Sequence, residues 1–137
     1  MKSNRRSFVK QSSLAIAGYS FTTNKESAFE APFVHHVLFW LKDKDNKENY
    51  TKMLRFLKKF KEVKGVKFLH VGAPSISDVD YEASATDVSY TFSYLTLFDS
   101  KKDKEDYLKD PLHTQFFNDF KDVVSKVIIY DSLNISD

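Results

Sequence analysis

The sequence predicts an α+β fold in which two split βαβ units share one four-stranded antiparallel sheet, the ferredoxin-like arrangement. Three observations lead there. Periodic segments follow one another as strand, helix, strand, long loop, strand, helix, strand. Gly and Pro number only three each in 137 residues, so long Gly-Pro-rich connections are absent. The strands are apolar on both faces, and helices on one side cover only one of them. The other face therefore calls for a copy of itself, and two sheets face to face imply a dimeric α/β barrel.

The first thirty residues stand apart from this pattern. MKSNRRSFVK, with Arg5, Arg6, Phe8 and Lys10, resembles a twin-arginine export signal and precedes a modest apolar stretch from Leu14 to Phe21. That stretch is too short to remain as a membrane span. Residues 1–30 are read as signal peptide and linker, and 31–137 as the folded domain. The product would be periplasmic or secreted if the signal is used, and cytoplasmic otherwise.

The first strand covers Phe33 to Lys42, with His35, Val37, Phe39 and Leu41 on one face and His36, Leu38, Trp40 and Lys42 on the other. A helix follows. Asp45 and Glu48 have capping-box spacing, and Tyr50, Met53, Leu54, Leu57 and Phe60 recur at three and four. Gly65 stops it. Strand two is Val66 to Val71. Ala73 to Asp87 reads as a loop with room for a short helical turn, and it is long enough to cover a cleft. Its acids Asp78, Asp80 and Glu82 lack the glycine and final glutamate of a calcium loop. The third strand, Tyr90 to Phe98, sets Tyr90, Phe92, Tyr94, Thr96 and Phe98 on one face, a pattern for a central position. Ser100 with Asp103 caps the next helix, and Lys126 to Asp131 makes the last strand.

Between the last two elements lies Glu105 to His113, EDYLKDPLH, which breaks one helical run and starts another. Asp110 suits an N-cap and Pro111 the first helical position. His113 then falls in the first turn, where orphan amides and the positive dipole end weaken its affinity for a proton. Leu112, Phe116, Phe117, Phe120 and Val123 form the stripe of this helix, and His113 sits at its edge. A neutral imidazole there can act as a base or a hydrogen-bond partner. A plain structural reading stands beside this one: Asp110 and Pro111 only start a helix and His113 packs at a layer seam.

Composition narrows the classes of function. The chain has no Cys, which excludes disulfides, thiolate chemistry and Cys-bound metals. Residues 1–31 hold five of the 21 Lys/Arg and two of the 19 Asp/Glu, leaving 16 and 17 for the remainder. A body so balanced gives no footing for nucleic acid. His35 and His36 point to opposite faces and no H-x-H pair exists, so no metal site is expected. No cofactor and no stable membrane insertion are expected either.

Five segments in this order and spacing resemble the stress-responsive dimeric α/β-barrel (Dabb) domain: HHVLFWLKD, VKFLHVG, YTFSYLTLFDS, DYLKDPLH and KVIIYD. The resemblance spans residues 33–132 and implies a ferredoxin-like homodimer, related in fold to small monooxygenases that need neither metal nor flavin. Most members have no assigned activity. One plant branch is similar to a polyketide cyclase performing aldol closure, in which a Tyr and a His do acid–base work. Those positions fall on Tyr107 and His113, and a strand-one His falls on His35. A strand-three His of that branch is Phe92 here, and a His before the family's Pro is Asp110.

Two functions follow from the residues together with the resemblance. The domain would bind a small apolar or carbonyl-containing molecule, with Phe92, Phe116 and Phe117 as apolar wall. Alternatively it would be a cofactor-free acid–base enzyme. His113 would then take a proton next to a carbonyl, Tyr107 would hold the enolate oxygen and His35 would orient substrate or water. Whether chemistry follows binding stays open at this level.

Overall fold

Alternation of apolar residues decides how each strand sits. In the computed structural model, which describes residues 33–135, strand β1 (Phe33–Leu41) buries every second residue, from Phe33 to Leu41, beneath the helices. Strand β3 (Phe92–Phe98) does the same with Phe92, Tyr94, Thr96 and Phe98. The two pair antiparallel in the middle of the sheet, β2 (Phe68–Gly72) lies outside β3, and β4 (Val124–Leu133) lies outside β1. The leader read at residues 1–30 lies outside the described residues.

The expected ferredoxin-like order is present, but the expected dimeric α/β barrel is not what the sheet forms. The strand order is β2-β3-β1-β4, and the outer strands β2 and β4 do not pair with each other. Adjacent strands twist by roughly 20–25°, so three pairings turn the sheet by about 70°, far short of closure. Among the described residues the sheet is open, with β2 and β4 as its outer strands.

Helix α1 (Lys47–Lys59) and the tight turn Phe60–Glu62 lay Met53, Phe56, Leu57 and Phe60 on the sheet. The cap of α1 is Asn46, whose side chain accepts from the Asn49 amide, and not Asp45 as its spacing with Glu48 implied. Gly65 ends this unit at φ +91°, a left-handed conformation that favours glycine. The long loop contains a short helix α2 (Asp80–Ala85) that buries nothing, and its flanks line a groove beside Trp40 and Tyr50. Helix α3 (Lys101–Leu108) starts on Ser100, which accepts from the Asp103 amide and donates to the Asp103 carboxylate. Helix α4 (Pro111–Phe120) starts as expected on Asp110, which accepts from the Leu112 amide at 2.8 Å, with Pro111 in its first turn.

Aromatic rings fill the space between the layers. Phe60, 1% exposed, is their hub: its ring lies 5.4–6.1 Å from those of Tyr94, Tyr107, His113 and Phe116. Such edge and tilted contacts favour a single arrangement of rings beyond simple burial. This packing sets the floor and one wall of the candidate site.

Candidate functional site

The period of β1 turns His35 toward the helices, and the register of the sheet places Asp131 of β4 directly opposite it. Asp131 Oδ1 lies 2.6 Å from His35 Nδ1, and its Oδ2 accepts from Lys104 of α3 at 2.8 Å. Burial holds the His35 pKa below its ordinary value, outweighing the opposing pull of Asp131. Asp131 stays ionised: burial works to raise its pKa, but the hydrogen bonds from Lys104 and His35 together hold it below the usual carboxylate range. The pair is therefore a neutral imidazole donating Nδ1–H to a carboxylate, which leaves Nε2 with its lone pair.

Tyr107 sits in the last turn of α3 and is 2% exposed. Its hydroxyl meets the Tyr94 hydroxyl at 2.9 Å, and its ring stands edge-on to His35 at 6.0 Å and to His113 at 5.5 Å. Burial raises both tyrosine pKa values far out of the neutral range, so both are donors and neither is a base. If Tyr94 donates to Tyr107, the Tyr107 proton is free for a third group.

His113 occupies the third position of α4, half-buried between Phe60 and Tyr107. Its pKa is lowered first by burial and then by the charges of His35 and Lys104, with Asp110 opposing. Its ring nitrogens have no hydrogen-bond partner among the described residues.

His35, Tyr94, Tyr107 and His113 line one cavity of about 230 Å³ whose other walls are apolar. Phe117, Val127 and Ile129 line it while remaining 63%, 45% and 55% exposed, so the mouth lies between α4 and β4. Phe116 is in the wall, buried against Phe39 and Phe60. Phe92 is not in this lining. It packs one pleat further along β3, 4.6 Å from the Tyr50 ring.

Three contributors went unnoticed in the sequence. Asp131 and Lys104 are polar residues ordinary in composition, and only the β1–β4 register brings the carboxylate to His35. Tyr94 shares its strand face with Phe92, and nothing local in the sequence sets it apart. No group of three or more metal-binding side chains occurs among the described residues.

A family model described as the stress responsive A/B barrel domain, Dabb, matches residues 33–134. The chain belongs to the Dabb family. A Dabb protein with a ferredoxin-like fold from Mesorhizobium loti is similar at 22% identity and TM-score 0.62, over 76% of this chain and 97% of that one. A dimeric ferredoxin-like protein of unknown function from Thermobifida fusca matches at 14% identity and TM-score 0.59, over 74% and 90%. Hydroxynitrile lyase from Passiflora edulis matches at 14% and TM-score 0.61, over 79% and 98%. At these identities the likeness speaks for the fold. No curated protein matches the chain. The Dabb fold thus places the cavity between its helices and its open sheet, with dimeric assembly recorded among its structural relatives.

Proposed function

We propose that this Dabb domain binds a small, largely apolar molecule carrying one carbonyl or hydroxyl group. The observation that carries this is the largely apolar cavity lined by four polar side chains, His35, Tyr94, Tyr107 and His113. Its volume equals about eight waters at ~30 Å³ each, suited to a compact ketone or phenol. Apolar walls supply affinity, and the Tyr107 hydroxyl and His113 orient the oxygen. Medium-chain ketones such as 2-heptanone should raise the melting temperature of the full chain more than alkanes of equal size. Tyr107→Phe should narrow that difference, and an equal response to ketone and alkane would overturn the reading.

A second reading, acid–base catalysis, is favoured by the His35–Asp131 pair, whose tautomer is held in place before any ligand arrives. Neutral His113 would remove a proton from the carbon beside the carbonyl, while Tyr107 would donate to the enolate oxygen. His113 becomes charged in that step, and the new carbon nucleophile is what aldol chemistry requires. Exchange of α-protons of 2-heptanone for deuterium, followed by NMR, measures it. His113→Gln should lower a protein-dependent rate by about 10²-fold or more. No exchange above buffer with wild type sinks catalysis and leaves binding standing.

We further propose a homodimer in which the two open sheets stack face to face. The face away from the helices supports this, with Leu38, Trp40, Leu95, Leu97, Ile128 and Tyr130 as its apolar body. Relatives described as dimeric support it too. A strictly monomeric mass for the full chain at micromolar concentration and neutral pH would overturn it.

A further inference from the structure

Two histidines lie on the open sheet face, apart from the cavity. His36 of β1 and His70 of β2 both register with Leu95 of β3, so they share one row across the sheet. The His36 ring bonds to Ser93 Oγ at 2.9 Å and lies 6.3 Å from the Tyr130 ring of β4. The His70 ring folds back over Gly72, where a side-chain Cβ would stand only 2.6 Å from its Nε2. Gly72 thus leaves His70 room to lie along the face.

The groups around His36 are unlike those around His35. From β2 it meets His70, from β3 Ser93 and Leu95, and from β4 Tyr130. The face has one formal charge at its strand positions, Lys126, whose ammonium sits 4.5 Å from the centre of the Trp40 ring. No strand position on it is Asp or Glu. Among the described residues of this face an imidazolium at His36 therefore has no carboxylate counter-charge, and burial and His70 already lower its pKa.

We propose that acid separates the two copies: the open faces join only while His36, in its row with His70, is neutral. This rests on the face-to-face dimer proposed above. A two-fold axis sets each face on its own image, so whatever the rotation, the opposing strands again offer no carboxylate. Closing the interface removes water from both imidazoles and adds no acceptor of negative charge. Protons bind the separated copies and not the dimer, so association weakens as pH falls.

An imidazole of ordinary pKa is about nine-tenths charged at pH 5.5, and excluding that proton from both copies of His36 weakens association about a hundredfold. The downward shift of His36 makes the loss smaller than this limit. Sedimentation of the full chain at pH 7.5 and 5.5 gives the dimer dissociation constant at each. Wild type should weaken by about tenfold or more, and His36→Gln should flatten the dependence. His36→Asn, a smaller neutral amide at the same position, serves if the first variant folds poorly. A dimer whose constant is unchanged by pH, or two variants that keep the full dependence, overturns the inference alone. A monomer at both pH values overturns the dimer as well.

Discussion

Asp131 serves two unlike donors, a buried imidazole and a lysine that is itself mostly covered. A bond to a charged acceptor contributes about 1.5–3 kcal/mol, and the carboxylate is one-third exposed, so replacing it by an amide should cost about 1–2 kcal/mol at pH 7. The direction with pH follows from the histidines. His35, His36 and His113 are all held below the ordinary imidazole value. On acidification the unfolded chain takes up protons near pH 6.5 while the folded chain does not. Stability therefore falls as pH drops through 6.5 toward the folded values. Asp131 raises the His35 pKa, so Asp131→Asn lowers it further and prolongs that fall. Thermal unfolding from pH 7 to 5 should show the variant losing more than wild type. A flatter profile in the variant would contradict the pairing.

At the scale of one helix, α4 shows how capping positions chemistry. The Asp110 side chain satisfies the Leu112 amide, its carbonyl accepts from the His113 amide at 2.9 Å, and Pro111 has no amide to satisfy. These contacts fix where the helix begins, and so where His113 stands relative to Tyr107 at the end of α3. Asp110→Ala should reduce the free energy of urea unfolding by about 1 kcal/mol, and Asp110→Ser should restore most of it. An alanine variant as stable as wild type would mean the cap contributes nothing here. The start of α4 was legible because Asp-Pro is a local signal. The cap of α1 was not, since Asp45 and Asn46 are adjacent capping types and only the chain's path selects between them.

Across the whole molecule, what could be read in advance divides by range. Strand faces followed from alternation alone: His35 and Tyr94 turn inward because Val37 and Phe92 do. Position along a face did not, and Phe92, on the expected side, lies one pleat away from the cavity. Phe117 followed the helical stripe yet remains mostly exposed at the mouth, where Val127 and Ile129 of β4 are themselves about half exposed. Asp131 was invisible as a site residue because a polar residue near a strand end is ordinary until the β1–β4 register is known. Closure into a barrel failed as an expectation because strand number and twist, not the apolar character of a face, decide it.

The sheet order has a kinetic consequence. β1 pairs with β4 along its full length, and the His35–Asp131 contact joins residues 96 apart in the chain. Closing a loop of that size opposes folding by about 4 kcal/mol beyond a constant. Contacts so distant in sequence slow the search for the native state. The imidazole–carboxylate pair thus exists only after the first and last strands have met. A fragment lacking either strand cannot make this pair, and a nascent chain acquires it only when its last strand has been made.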